Sequence, residues 1–169
     1  MPAATGSLPS ARERRARRAV AVQLTRDARE RDAHLAIRRA VFVGEQGLFE
    51  GDDVDALDAE PATLHALGLV EGVAAGTVRL YELGGVGRWR GDRLAVLPDA
   101  RHTTLGASLV RFAVRTAGQR GGQRMDAMIQ LPNVGFFEAL GWARDGAVRR
   151  FHGADHQPMA IALSRDPGP

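Results

Sequence analysis

One stretch of this chain gathers residue types able to hold an anion: Leu94-Ala95-Val96-Leu97-Pro98-Asp99-Ala100-Arg101-His102-Thr103-Thr104-Leu105-Gly106-Ala107-Ser108-Leu109. An apolar run enters a short polar loop and passes straight into apolar-periodic text, which reads as strand, bend and helix N-terminus. The first N–H groups of a helix lack intrahelical partners and lie at the positive end of its dipole, so a phosphate is stabilised there. Small residues at Gly106, Ala107 and Ser108 let such a group approach the main chain, or equally let helix pack on strand. Arg101 supplies a fixed cation.

Other reactive side chains are scattered. Glu45 to Glu60 holds seven acids and no base, a negative wall where Asp53, Asp55 and Asp58 could attract a cationic acceptor. Arg79 and Arg93 stand in apolar strand text and need buried partners or a bound anion; the acidic stretch is the expected partner. Glu45 is an acid at a helix end expected to approach a substrate groove. His156, at a hairpin, can shuttle protons near neutral pH. Trp89 either lines an acceptor pocket or caps the sheet. His152, Asp155 and His156 suggest no metal site, because four-residue spacing aligns histidines only on a helix and Gly153 and Pro158 break one.

These groups must be positioned by a chain of 169 residues, 44% hydrophobic and 25% charged, the size of one domain with its own core. It contains no cysteine, which excludes a disulfide scaffold, thiol catalysis and Cys-ligated metal. All 23 basic residues are arginine and the net charge is +3. Ten arginines crowd Arg12 to Arg39 against four acids, and with the acidic run this suggests opposed surface patches. No apolar run reaches membrane-spanning length, and the cytoplasm is the expected compartment. Residues 1–19 read as a flexible Arg-rich arm, residues 20–165 as a single domain and 166–169 as a tail. A nucleic-acid role for the arm is the weaker reading.

Val20 to Leu24 reads as a strand, and Asp27 followed by Glu30 as a capping-box-like helix start. Ala33, Ala36, Ile37, Ala40 and Val41 form one apolar stripe, with Arg29, Arg38 and Arg39 off it. The acidic stretch that follows reads as a long exposed connection. Thr63 to Val70 and Val73 to Leu83, split by Glu71-Gly72, read as an antiparallel hairpin, and Arg93 to Leu97 as a strand stopped by Pro98. A helix over Thr104 to Gln119, a strand over Arg124 to Gln130 and a short helix over Asn133 to Leu140 come next. Trp142 to Phe151 and Gln157 to Leu163 form a last hairpin. The mixed order excludes a pure sandwich and a regular doubly wound fold.

The segment Arg101-His102-Thr103-Thr104-Leu105-Gly106 resembles the [Q/R]-x-x-G-x-[G/A] loop with which the GNAT superfamily of N-acetyltransferases binds the pyrophosphate of acetyl-CoA, with Thr104 in place of the middle glycine. Asn133-Val134-Gly135-Phe136-Phe137 through Gly141-Trp142 is similar to the superfamily's segment beside the pantetheine. Phe137 stands where many members carry a proton-donating Tyr. Arg38-Arg39-Ala40-Val41-Phe42-Val43-Gly44-Glu45-Gln46, Asp53, Asp55, His65 and Gly76-Thr77-Val78-Arg79-Leu80 resemble the ElaA-like branch.

The resemblance covers Val20 to Leu163. It implies an α/β fold with a mixed, mostly antiparallel sheet flanked by helices and splayed at the fourth and fifth strands. It also implies acetyl-CoA as co-substrate and a small amine acceptor, with a homodimer as a possible assembly. The implied cofactor residues are Leu94, Ala95, Val96, Arg101, His102, Thr103, Thr104, Leu105, Gly106, Ala107, Asn133, Phe136 and Phe137. The Val96 amide would face the thioester oxygen, and Asp92 lies where several members place a general base, with Glu45 and His156 as further candidates. Asp53, Arg79 and Trp89 are the candidate acceptor contacts. LuxI-type acyl-homoserine lactone synthases, which share related text, and a non-catalytic acyl-CoA-binding module are the alternative readings.

Overall fold

A computed structural model describes residues 18–165. Most of the proposed arm and the whole proposed tail lie outside the described residues. Strand β1 (Val20–Leu24) leads to helix α1 (Ala28–Arg38). The Asp27 carboxylate accepts the Glu30 amide at 2.8 Å, which caps α1. The reciprocal arm is displaced by one residue: Glu30 accepts from the Arg26 amide rather than that of Asp27.

α1 does not end where its periodicity weakens. It widens into a π-helical segment, Arg39–Glu45, which carries Val41 and Phe42 onto the sheet. The hairpin β2 (Leu64–Val70) and β3 (Val73–Glu82) turns at Glu71 and Gly72, both at positive φ, as a two-residue hairpin with right-handed strand twist requires. β4 (Arg88–Val96), helix α2 (Leu105–Gln119), β5 (Arg124–Gln130) and the short α3 (Val134–Ala139) follow. The final arm expected as one strand is two short ones, β6 (Ala143–Arg144) and β7 (Arg149–Phe151), both paired to β8 (Ala154–Ala162).

The eight strands form one sheet in the order β1-β2-β3-β4-β5-β8-β6, with β7 also on β8. Every pairing is antiparallel except β4 with β5. That parallel ladder holds three residue pairs, from Arg88↔Arg124 to Arg90↔Asp126, after which the strands part. α2 covers one face of the sheet with Leu105, Leu109, Val110, Ala113 and Ala117. Its approach is close because β2 and β3 offer glycine there: a Cβ on Gly68 would lie 2.6 Å from Leu105, and one on Gly76 2.8 Å from Leu109. α1 and the π-helical segment cover the other face, where Ile37, Val41 and Phe42 pack on Leu67 and Ala95.

Two expectations need correction. The acidic stretch is exposed along most of its length, as expected, but not throughout: Asp53 and Asp58 are buried. Arg38, off the apolar stripe of α1, is fully buried, because those two carboxylates fold over it and neutralise it. Its Nε donates to Asp53 at 2.8 Å, and Nη1 and Nη2 donate to the two Asp58 oxygens at 2.6 and 3.0 Å.

Candidate active site

The parting of β4 from β5 makes the site. Thr77 faces Ala95 and Arg79 faces Asp92, so two steps on β3 match three on β4, a β-bulge at Arg93. Arg93 has φ 52°, a left-handed conformation that costs a non-glycine residue about 1–2 kcal/mol. It is held there from several sides. The Thr77 hydroxyl donates to the Arg93 carbonyl at 3.0 Å, and Nη2 donates to the Asp53 carbonyl at 3.2 Å and to Asp55 at 3.3 Å. Nε lies 2.9 Å from Asp53 Oδ2, although its N–H does not point at that oxygen.

Arg79 is the second anchor. Its guanidinium gives two hydrogen bonds to Asp55, at 2.6 and 3.0 Å, and two to Asp92, both at 2.7 Å. It also lies 3.1 Å from Asp58. Three arginines and four aspartates thus form one largely desolvated network that ties α1, the acidic stretch, β3 and β4 together. Beneath it His65 Nδ1 lies 3.4 Å from His34 Nε2, and His34 Nδ1 lies 3.0 Å from the Ala66 carbonyl. Burial is the largest effect on both rings, pushing His34 down to about 3 and His65 to about 4.

Past the bulge, the Leu97 amide donates to the Ala75 carbonyl on β3 at 2.8 Å. Alternation along the strand therefore turns the Val96 N–H and C=O the other way, into the gap. The Val96 carbonyl accepts Arg101 Nε there at 3.0 Å. An outer cleft of about 530 Å³ opens on this edge, lined by Leu94, Ala95, Val96, Arg101, Thr103, Gly106, Ala107, Asn133, Phe136 and Phe137. His102, Thr104 and Leu105 do not line it. Leu105 is fully buried against the sheet, and its amide donates to the Thr103 hydroxyl oxygen at 3.2 Å. The Thr103 amide bonds to the Ala100 carbonyl. Among the described residues, no hydrogen bond within the protein takes the amides of His102, Thr104, Gly106 or Ala107. Thr104 has φ −81°, so the bend needs no glycine at that position and carries no strain there.

Glu45 lies at the mouth of this cleft, paired with Arg101 through two contacts of 2.6 Å. The Arg101 guanidinium holds its carboxyl below the usual range.

A second cavity of about 170 Å³ adjoins the first and shares Gln46, Leu94, Gln130, Asn133 and Phe137 with it. Gln130 donates to Gln46 at 3.0 Å across that boundary. The inner cavity is apolar toward α2, at Val78, Val110, Ala113 and Met125. It is polar on the opposite side, at Tyr81, Arg90, Asp92, Arg93, His152 and His156. Phe49 from the acidic stretch roofs it, its ring 4.8 Å from that of His152 and 5.0 Å from the Arg93 guanidinium carbon.

His156 is buried, with Nδ1 2.9 Å from the Ala154 carbonyl. That geometry assigns the proton to Nδ1 and leaves Nε2 as an acceptor with no protein partner among the described residues. Asp92 reaches the same cavity, but Arg79 occupies both its oxygens.

The three candidate acceptor contacts are displaced. Asp53 and Arg79 are consumed in the buried network and line neither cavity, and Trp89 is core, packed toward α2. Tyr81, Arg90 and Gln130, which the sequence did not mark as site residues, reach the cavities, as do Gln46 of the ElaA-like segment and His152, weighed above only as a metal ligand. The signal available was alternation, which sets Tyr81 beside Arg79 and Arg90 beside Asp92 on one face.

Comparison with known proteins agrees with this architecture. Residues 32–142 match the acetyltransferase (GNAT) family. A Bacillus subtilis (strain 168) protein named "Putative acetyltransferase BSU40680" is 33% identical over 116 residues, 67% of this chain and 78% of that protein. The chain belongs to the GNAT family of acetyltransferases. Among solved structures, Escherichia coli ElaA superposes with a TM-score of 0.74 at 21% identity, over 84% of this chain and 99% of ElaA. BjaI, a CoA-dependent acyl-homoserine lactone synthase solved with SAM and isopentyl-CoA, shares the fold with a TM-score of 0.69 at 18% identity, over 81% and 77% of the two chains.

Proposed function

We propose that the protein transfers an acetyl group from acetyl-CoA to the amine of a small acceptor. The observation that carries this reading is the cleft itself. A bare edge of β4 presents the Val96 amide, and the unoccupied amides at the start of α2 stand beside it. The pyrophosphate would take the amides of Gly106 and Ala107 with Arg101, and the pantetheine would run along Leu94 to Val96 beside Asn133, Phe136 and Phe137. The Val96 N–H then faces the oxygen that becomes negative in the tetrahedral intermediate. The amine arrives from the inner cavity, and His156 Nε2 takes its proton. Phe137 has no proton to give, so the CoA thiolate, with a pKa of about 8.5, departs unaided or is protonated by water.

Acetyl-CoA at a hundred times its dissociation constant should stabilise the fold by about 2.7 kcal/mol. Absence of any melting shift at millimolar acetyl-CoA would overturn the reading.

A second reading, transfer of a longer acyl chain, is favoured by the apolar arm of the inner cavity that reaches Val110 and Ala113 of α2. Thiol release from acetyl-CoA compared with hexanoyl-CoA separates the two.

A further inference from the structure

We infer that the acceptor carries a carboxylate and that Arg90 binds it. This rests on the transferase reading above and names the class of its second substrate.

The polar side of the inner cavity holds two arginines. Arg93 is paired with Asp53 and Asp55. Arg90 is not paired, and no carboxylate near it is free. Asp92, two residues along β4, is taken by Arg79. Asp126, its register partner on β5, accepts Arg88 Nε and Arg124 Nε, each at 2.8 Å. Among the described residues the Arg90 side chain has no ion pair, hydrogen bond or ring contact, and its Nε is buried without a partner. An uncompensated guanidinium with a desolvated N–H is costly to the fold. Arg31 is the other half-buried arginine without an ion pair, its Nη2 donating to the Asp58 carbonyl, but it lines neither cavity; Arg90 opens on one, which marks it as the place where an anion from outside completes the charge balance.

The coenzyme is not that anion. Its phosphates belong to the outer cleft, which Arg90 does not line. Arg90 opens on the inner cavity beside Tyr81, its register partner in β3, whose hydroxyl donates to Asp92 at 3.4 Å, so Arg90 is the donor left for a ligand. A planar guanidinium favours a carboxylate through paired N–H···O bonds. The size limit is also informative, since a cavity near 150 Å³ encloses about six carbons. Four residues of strand, at most about 13 Å, separate Arg90 from Leu94 at the junction of the two cavities, so amine and carboxylate belong to one compact molecule. The acceptor is thus an amino acid, or an amine acid of similar size, with an apolar body.

Matched ligands test this. N-acetyl-leucine, N-acetyl-phenylalanine and N-acetyl-5-aminovalerate are compared by calorimetry, at saturating CoA, with the same compounds lacking the carboxylate. The wild-type protein should prefer the acid of at least one pair about tenfold or more. Arg90→Gln should remove that preference and leave the neutral partner's affinity unchanged. Its melting temperature in the absence of ligand should be equal to or higher than wild type, since a lone cation has been removed.

Equal affinities, no binding of any acid, or a preference that survives Arg90→Gln overturns the inference. Thiol release with the parent amines is followed in parallel. Turnover without carboxylate preference defeats the inference and leaves the transferase reading standing. Carboxylate preference without turnover on any amine defeats the transferase reading and leaves Arg90 as a carboxylate-binding residue only.

Discussion

Glu45 and Arg101 close a two-point ion pair, 2.6 Å at each contact, across the mouth of the outer cleft. Both side chains are about two-fifths exposed, so the pair is easily given up, and Arg101 stands where the pyrophosphate is proposed to bind.

Glu45 therefore competes with the coenzyme for Arg101. Glu45→Gln should tighten acetyl-CoA binding about threefold, and Arg101→Ala should weaken it. Calorimetry at two salt concentrations reads both effects, and weaker binding by Glu45→Gln would remove the competition.

The start of α2 can be tested without harming the fold. A Cβ on Gly106 would meet Phe136 at 3.6 Å and Val96 at 3.9 Å, ordinary contact distances. Gly106→Ala should melt like the wild type, whereas Gly106→Glu should abolish the acetyl-CoA melting shift by setting a carboxylate against phosphate.

His156 and Asp92 divide differently. His156→Gln should lower kcat about a hundredfold, in the range general base catalysis supplies, with the acetyl-CoA melting shift intact. Asp92→Asn should instead act on the fold, destabilising it by on the order of 2 kcal/mol as Arg79 loses a buried partner. Urea titration separates this from turnover, and full stability of Asp92→Asn would reopen its role as the base.

Acid should unfold the protein in two stages. His34 and His65 are held neutral by burial, at about 3 and about 4, against an ordinary value near 6.5. The unfolded chain then binds more protons below pH 6.5, and stability falls as pH drops from 6.5 toward 4, by on the order of 2 kcal/mol per ring. Asp55, Asp58 and Asp126 are held below the usual carboxylate range by arginine partners that outweigh their burial. Their contribution is lost at lower pH still, beneath the ordinary carboxylate pKa. Urea midpoints between pH 7 and 4 should slope downward, and His65→Gln should flatten that slope.

Local signals in the sequence carry much of the fold. Glu71-Gly72 marks the β2–β3 hairpin because both positions need positive φ, Arg124 to Gln130 reads directly as β5, and Asp27 caps α1. What stays hidden depends on contacts distant in the chain. Nothing in the α1 stripe shows that Arg38 goes inside, because its partner carboxylates come from residues 15 and 20 positions later. The bulge at Arg93 is invisible to a period-two reading. The same bulge and the bidentate hold of Arg79 remove Asp92 from the simple picture of a free strand-end acid. Arg90 drew no attention because a lone arginine in a strand resembles many others until its neighbours are seen to be taken.

The short parallel ladder between β4 and β5 has a consequence for how the molecule holds together. Three rungs hinge the half carrying β1 to β4 against the half carrying β5 to β8, and one border of the wedge beyond them is raw main chain. A thioester tail lying in that wedge would act as an additional strand, so loading the donor would suture the two halves and release of spent coenzyme would unstitch them.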